Sequence, residues 1–351
     1  LPLKIKSKNN KKERQKMALF DKQVARKPNY YPETQVYIDA LHDGHWTVKK
    51  FHFRTDYSHF KEMSPQMQEV VMRSISAIAQ IEVAVKTFWG KLGERLPQPA
   101  IVDLGFVMAN NEVVHNQAYE KLLTVLGLED VFENNLKNEV VAGRVKYLHK
   151  HNEKVYKNDQ KQFIYSIILF TLFVENVSLF SQFYTLSYFH RFDNVLPHTA
   201  QQLSYTVKEE SIHAQIGIYL INKLRKEYPH YFDEELQTKV EQEIWEAYKA
   251  ESKVIDWFIG DYENKRVDEE GREVELSASV LKAFIKQRIN DSMKEIGFNG
   301  LPMSDEESTN YRKTRWFQSE VKGLTTTDFF HKHPVEYSKS AKTYNAEDIF
   351  G

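Results

Sequence analysis

Apolar residues recur every three or four positions through most of this chain, the spacing that keeps one face of an α-helix buried. The first long run opens at Ser64-Pro65, a good N-cap and first-turn pair, and predicts a helix to about Leu96. Pro97 and Pro99 interrupt it, and a second helix is predicted over 101–126, closed by Gly127. A more polar helix is expected over 135–150 and an apolar one over 159–188. Pro197 introduces another, which ends near Tyr228-Pro229. Further helices are expected at 233–259 and 276–296, with a short helix and turn over 37–46. After about 318 the pattern becomes polar and irregular. The pattern predicts an all-α protein.

Four glutamates break the apolar stripes. Met108, Glu112, His115, Tyr119, Leu122 and Leu126 lie on one helical face, and so do Leu203, Val207, Glu210, His213, Gly217 and Leu220. Each stripe therefore carries a Glu-x-x-His pair, whose members project together. Glu82 follows Ile75 and Ile78 and precedes Val85 and Trp89, while Glu175 sits among Ile168, Leu172, Leu179 and Leu186. A charged carboxylate on a core stripe is costly unless something compensates it. One lone Glu precedes one Glu-x-x-His, and the order occurs twice, at separations of 30 residues (82 to 112) and 35 residues (175 to 210). Two helical hairpins with pseudo-twofold symmetry would bring all six residues together, as in the dinuclear carboxylate site of ferritin-like bundles.

Composition narrows the chemistry. The 351 residues include 48 Lys and Arg against 49 Asp and Glu, so no global charge points to nucleic acid or membrane. There is no cysteine, which removes disulfides, thiolate ligands and any thiol chemistry by this chain alone. Phe163 to Val174 is the most apolar run, is too short to span a bilayer, and leads into Glu175 and Asn176. No secretory pattern opens the chain at Leu1, and a cytoplasmic enzyme is the expectation. Residues 1–16 hold seven Lys or Arg and one Glu, and read as a solvated arm or a linker to a preceding domain. The division expected is this arm, a bundle over 17–320 and a flexible tail over 321–351.

Four carboxylates match the charge of two divalent ions, with both imidazoles bound neutral. Oxygen-rich ligands with one imidazole per metal suit iron or manganese better than zinc. Tyr119, one turn beyond His115, is either an ordinary core tyrosine or a residue placed for oxidation beside a redox metal pair.

These residues, in this order, resemble the radical-generating small subunit of class I ribonucleotide reductase. The resemblance covers roughly 35–320. It implies Glu82, Glu112, His115, Glu175, Glu210 and His213 as metal ligands. It puts Tyr119 at the radical-bearing position, Trp46 at the radical-transfer tryptophan, and Glu209 at the acidic residue linking the metals to that tryptophan. It also implies a homodimer of ferritin-like bundles. The partner would be a large catalytic subunit carrying the thiyl radical and the cysteine pair that reduce ribonucleoside diphosphates. The tail would dock in that subunit through Glu347-Asp348-Ile349-Phe350, with Tyr337 or Tyr344 carrying the radical across the gap.

Two features bear on the metal. The first ligand position holds Glu82 where the commonest members have Asp, and Lys86 follows one turn later. That combination resembles the dimanganese subclass, in which superoxide oxidises the cluster to Mn(III)Mn(IV) and the metals themselves store the oxidising equivalent. A lysine ammonium near the cluster would attract an anionic oxidant and donate a hydrogen bond to it. Otherwise Lys86 pairs with a carboxylate or reaches solvent. Two iron ions, or one manganese and one iron, with O2 as oxidant, are the alternative cofactors. A ferritin-like oxidase or monooxygenase and a metal-storage protein are the alternative functions.

Overall fold

The computed structural model describes residues 17–144, 146 and 159–321, with the backbone alone at Glu82 and Val83. The basic arm at 1–16, the tail tyrosines Tyr337 and Tyr344, and Glu347–Phe350 lie outside the described residues.

Helix α1 (Thr34–Asp43) leads through Trp46 to α2 (Arg54–Glu62). The Ser64 side chain accepts the Met67 N–H and starts α3 (Pro65–Ala79), with Pro65 in the first turn. The single helix expected over 64–96 is in fact three. The α-helical ladder stops at Gln80-Ile81, α4 runs Glu82–Gly90, and a short α5 covers Leu92–Arg95. Helix α6 (Pro99–Leu126) ends where Gly127 takes φ 68°, the left-handed conformation glycine adopts at least cost. A short helix, α7 (Glu129–Asn135), precedes the polar stretch; of the helix expected over 135–150 the backbone is helical at 139–144 and 146, and 145 and 147–150 lie outside the described residues.

The apolar helix is longer than its sequence run. Gln160–Asp193 is helical over 34 residues, long and apolar enough to cross a membrane, yet 94% of its apolar window is buried inside the protein. Burial, and not shortness, marks it as a core helix. Its middle is not α-helical. It comprises α8 (Gln160–Leu169), a π-helical segment (Phe170–Ser178) and α9 (Phe180–Asp193). Helix α10 (Pro197–Glu227) follows. Next come α11 (Glu234–Ile259), started by the Asp233 carboxylate on the Leu236 N–H, then α12 (Ala278–Glu295) and α13 (Asp305–Arg312).

A β-hairpin was not anticipated. Strands β1 (Asn264–Val267) and β2 (Glu273–Leu276) pair antiparallel between α11 and α12. The Asp268 carboxylate accepts the N–H groups of Glu270 and Arg272 and shapes the turn. The chain is otherwise helical among the described residues. One continuous apolar core runs from Leu19 to Phe317. At its centre α4 packs along α6, the π segment packs on α10, and α6 meets α10.

Candidate metal centre

The two expected hairpins form, and Glu112, Glu175 and Glu210 converge. Glu112, His115, Glu175, Glu210 and His213 are all buried at 0–1% exposure, although three of the five are acidic. Ligand atoms of Glu112, Glu175, Glu210 and His213 lie within 4.8 Å of one another. Glu112 faces both imidazoles, one oxygen 3.1 Å from His115 Nδ1 and the other 2.8 Å from His213 Nδ1. Glu210 does the same, at 3.1 Å from His115 Nδ1 and 3.5 Å from His213 Nδ1. Glu175 belongs to the His213 side, at 3.5 Å, and its other oxygen accepts the Trp89 indole N–H. Glu82 begins α4, the helix packed against α6.

The donor set fits two metal ions. Oxygens of Glu112, Glu175 and Glu210 and both nitrogens of His213 are buried without hydrogen bonds of proper geometry, despite their proximity. Such groups are costly in a protein interior unless a ligand satisfies them. Glu112 and Glu210 would be available to both ions, and Glu175 to the one on the His213 side.

The electrostatics of these side chains alone point the same way. Burial disfavours the His115 imidazolium, but Glu112, Glu209 and Glu210 outweigh it and raise its pKa well above the usual value. His213 is raised likewise against its burial, by Glu112, Glu175 and Glu210. Burial and the nearby Glu210 push Glu175 up, whereas the two imidazoles overcome burial and hold Glu112 down. The carboxylates thus favour positive charge at the two imidazoles. An imidazole binds metal in its neutral form, so metal affinity should fall as pH falls.

One imidazole is tied outward. His115 Nε2 lies 2.7 Å from Glu209 Oε2, which also accepts the Trp46 indole N–H at 2.9 Å. The Trp46 and His115 rings are near-parallel, 22° apart with centroids at 6.0 Å. Trp46 is 3% exposed, and Lys121 Nζ fixes its segment by donating to the carbonyls of Val48 and Phe51. Tyr119 is fully buried one turn beyond His115. Lys86 Nζ donates to Asn116 Oδ1 at 3.1 Å, beside His115 in sequence.

Sequence reasoning missed two partners. Asn111 Nδ2 donates to Glu209 Oε1 at 2.8 Å and fixes that carboxylate from its second side. Its placement one turn before His115 was the available signal. Trp89 was visible as a core residue, but its bond to Glu175 crosses from one hairpin to the other.

Residues 24–308 match the family model described as "Ribonucleotide reductase, small chain". The chain belongs to that family. A ribonucleoside-diphosphate reductase subunit beta of Halalkalibacterium halodurans is 22% identical over 301 residues, 84% of this chain and 82% of that protein. The solved ribonucleotide reductase R2 subunit from Clostridium botulinum shares the fold with a TM-score of 0.76 at 16% identity, over 91% of this chain and 98% of that one. An R2-like ligand-binding oxidase reconstituted with a Mn/Fe cofactor also shares it, at a TM-score of 0.63 and 18% identity, over 76% and 93% of the two chains.

Proposed function

We propose that this chain is the radical-generating small subunit of a class I ribonucleoside-diphosphate reductase, with Glu82, Glu112, His115, Glu175, Glu210 and His213 holding two manganese ions. The observation that carries the reading is the Trp46–Glu209–His115 chain, which a metal-storage protein or a simple oxidase does not need. When bound, the ions would supply the oxidising equivalent that a large catalytic subunit uses to form its thiyl radical. His115 would bind through Nδ1 and leave Nε2 on Glu209. Glu209, held by Asn111, would keep Trp46 and His115 aligned and accept the proton that accompanies electron movement. Tyr119 is a second candidate radical position. A homodimer with a tail docked through Glu347–Phe350, and with Tyr337 or Tyr344 relaying the radical, completes the proposal.

Replacing Glu112 or Glu210 with Ala removes a carboxylate facing both imidazoles, and should abolish dinuclear loading in metal analysis and electron paramagnetic resonance. Two ions retained at full occupancy in either variant would refute the assignment. The second reading, an oxidase, is favoured by the fold shared with the Mn/Fe oxidase. It predicts that Trp46→Phe leaves activity intact.

Manganese with superoxide is proposed over two iron ions or a mixed pair because Glu82 and Lys86 lie one turn apart on α4. The Lys86 ammonium is partly buried on Asn116, close in sequence to His115, where it would draw in a small anion and donate to it. Lys86→Met should load two Mn(II) and react with a controlled superoxide flux about tenfold more slowly, the low end of effects for groups around a metal. Equal rates would make Lys86 structural and remove the reason for preferring superoxide.

A further inference from the structure

Two arginines hydrogen-bond the backbone immediately after Glu175. Arg288, on α12, lays its guanidinium on the Phe180 ring at 3.3 Å from the centroid. Its Nε donates to the Asn176 carbonyl and its Nη2 to Asn176 Oδ1, each at 2.5 Å. Arg144, 6% exposed, donates from Nη2 to the Ser178 carbonyl and from Nη1 to the Ala77 carbonyl at 3.2 Å. Glu251 balances its charge at 3.1 Å and also accepts the Ser178 hydroxyl at 2.9 Å.

The positions of these contacts are specific. Asn176 and Ser178 close the π segment, where the winding returns from π to α at Phe180. Such a change of winding displaces carbonyls from their helical donors, and outside donors compensate. Ala77 lies in the last turn of α3, just before the ladder breaks ahead of Glu82. Arg144 thus joins the two interruptions that precede or contain the lone glutamates. Were the π segment to relax into α winding, its residues would slip in register by one, about 100° around the helix axis. Glu175 would leave the site.

We infer that Arg144 and Arg288 are positioning residues for Glu175, holding the π-wound segment in the register that aims this carboxylate at the His213 side of the centre. The inference rests on the metal-centre reading above. A merely structural role would lower overall stability without singling out one metal position. A role through Glu175 weakens one ion and leaves the other.

The test is a Mn(II) titration of the full chain followed by electron paramagnetic resonance, on wild type, Arg288→Gln, Glu175→Ala and the double variant. Wild type should bind two ions. Arg288→Gln should weaken one of them at least tenfold, leave the other within about twofold, and replace the coupled signal with that of an isolated Mn(II). Added to Glu175→Ala, it should cost nothing more, because both act through one carboxylate. Wild-type affinities in Arg288→Gln, or a loss that adds in full to that of Glu175→Ala, would overturn the inference. Failure of wild type to bind two ions would instead overturn the metal-centre reading. If Arg288→Gln does not fold, Arg288→Lys keeps a cation over Phe180 with one donor group and is judged by the same cycle. Arg144 is tested as Arg144→Gln with Glu251→Gln, so that no charge is left buried alone, and the same selective loss is expected.

Discussion

The two halves of the centre contribute matching side chains from unlike surroundings. In the first, Glu82 begins a helix after a break, and Glu112 and His115 follow on α6. In the second, Glu175 sits inside a π-wound segment, and Glu210 and His213 follow on α10. His115 is bound outward to Glu209 and thence to Trp46, whereas both His213 nitrogens lack a hydrogen bond of proper geometry. Each half offers one Glu-x-x-His pair to the centre, and among the described residues the hydrogen-bonded chain from His115 through Glu209 to Trp46 belongs to the first half. On the proposed reading, the first half would communicate outward and the second would be held in place.

Trp46→Phe breaks that comparison where it is sharpest. It removes the indole N–H from Glu209 but keeps an aromatic ring in the core, so metal loading should persist. Turnover with the large subunit should fall at least about 100-fold, as when a required group is removed from a reaction path. Near-normal turnover would take Trp46 off the route and make the asymmetry incidental.

The halves also differ in how tightly their helices cross, and a glycine sits at each crossing. A Cβ on Gly217 would lie 2.1 Å from Thr171 Oγ1 and 2.7 Å from Thr171 Cβ, so α10 and the π segment would have to move apart. On Gly105 it would lie 2.7 Å from the Trp89 carbonyl oxygen and 3.0 Å from Leu92 Cβ, where α6 crosses the end of α4. Overpacking of this kind costs about 1–3 kcal/mol. Gly217→Ala should stand at the upper end of that range in chemical denaturation, and should also weaken one metal, because Thr171 is one turn before Glu175. Gly105→Ala should cost less and leave the metal affinities nearer to wild type. The reverse order would show the π segment to be the more compliant half.

Much of this was legible in the sequence because burial of charge is rare enough to be informative. Glu112, Glu175 and Glu210 stood out on apolar stripes, and all three are buried together. The helix boundaries at Ser64-Pro65, Gly127 and Pro197 followed from capping chemistry that acts locally. The break at Gln80-Ile81 and the π winding did not, because an apolar stripe can continue through both. Both are met by contacts from distant parts of the chain, such as Arg144 to Ala77 and Arg288 to Asn176, which no local pattern displays. The hairpin at 264–276 was too short and polar to show a strand period against the helices around it. Trp46 and Glu209 were found by resemblance, and the Trp46 indole N–H donates to Glu209.

The smallest effect expected tests where the halves touch. Trp89 belongs to α4 in the first hairpin, yet its indole N–H donates to Glu175 of the second. Trp89 is fully buried, so its N–H needs that acceptor, and Glu175 in turn has one oxygen held while the other faces His213. Trp89→Phe keeps most of the ring volume and removes only the donor. The Glu175 carboxylate would then be free to rotate, and the hydrogen bond that favours its charged form would be lost. Because burial and Glu210 already push its pKa up, losing the donor should push it higher and leave more of it protonated at neutral pH. A protonated carboxyl is a poor ligand, so the ion on the His213 side should bind about tenfold more weakly, about 1.4 kcal/mol, with the deficit shrinking as pH rises. Mn(II) titrations at two pH values would measure this. An equal loss at both would assign Trp89 to packing alone, and no loss at either would mean that the two halves hold their glutamates independently.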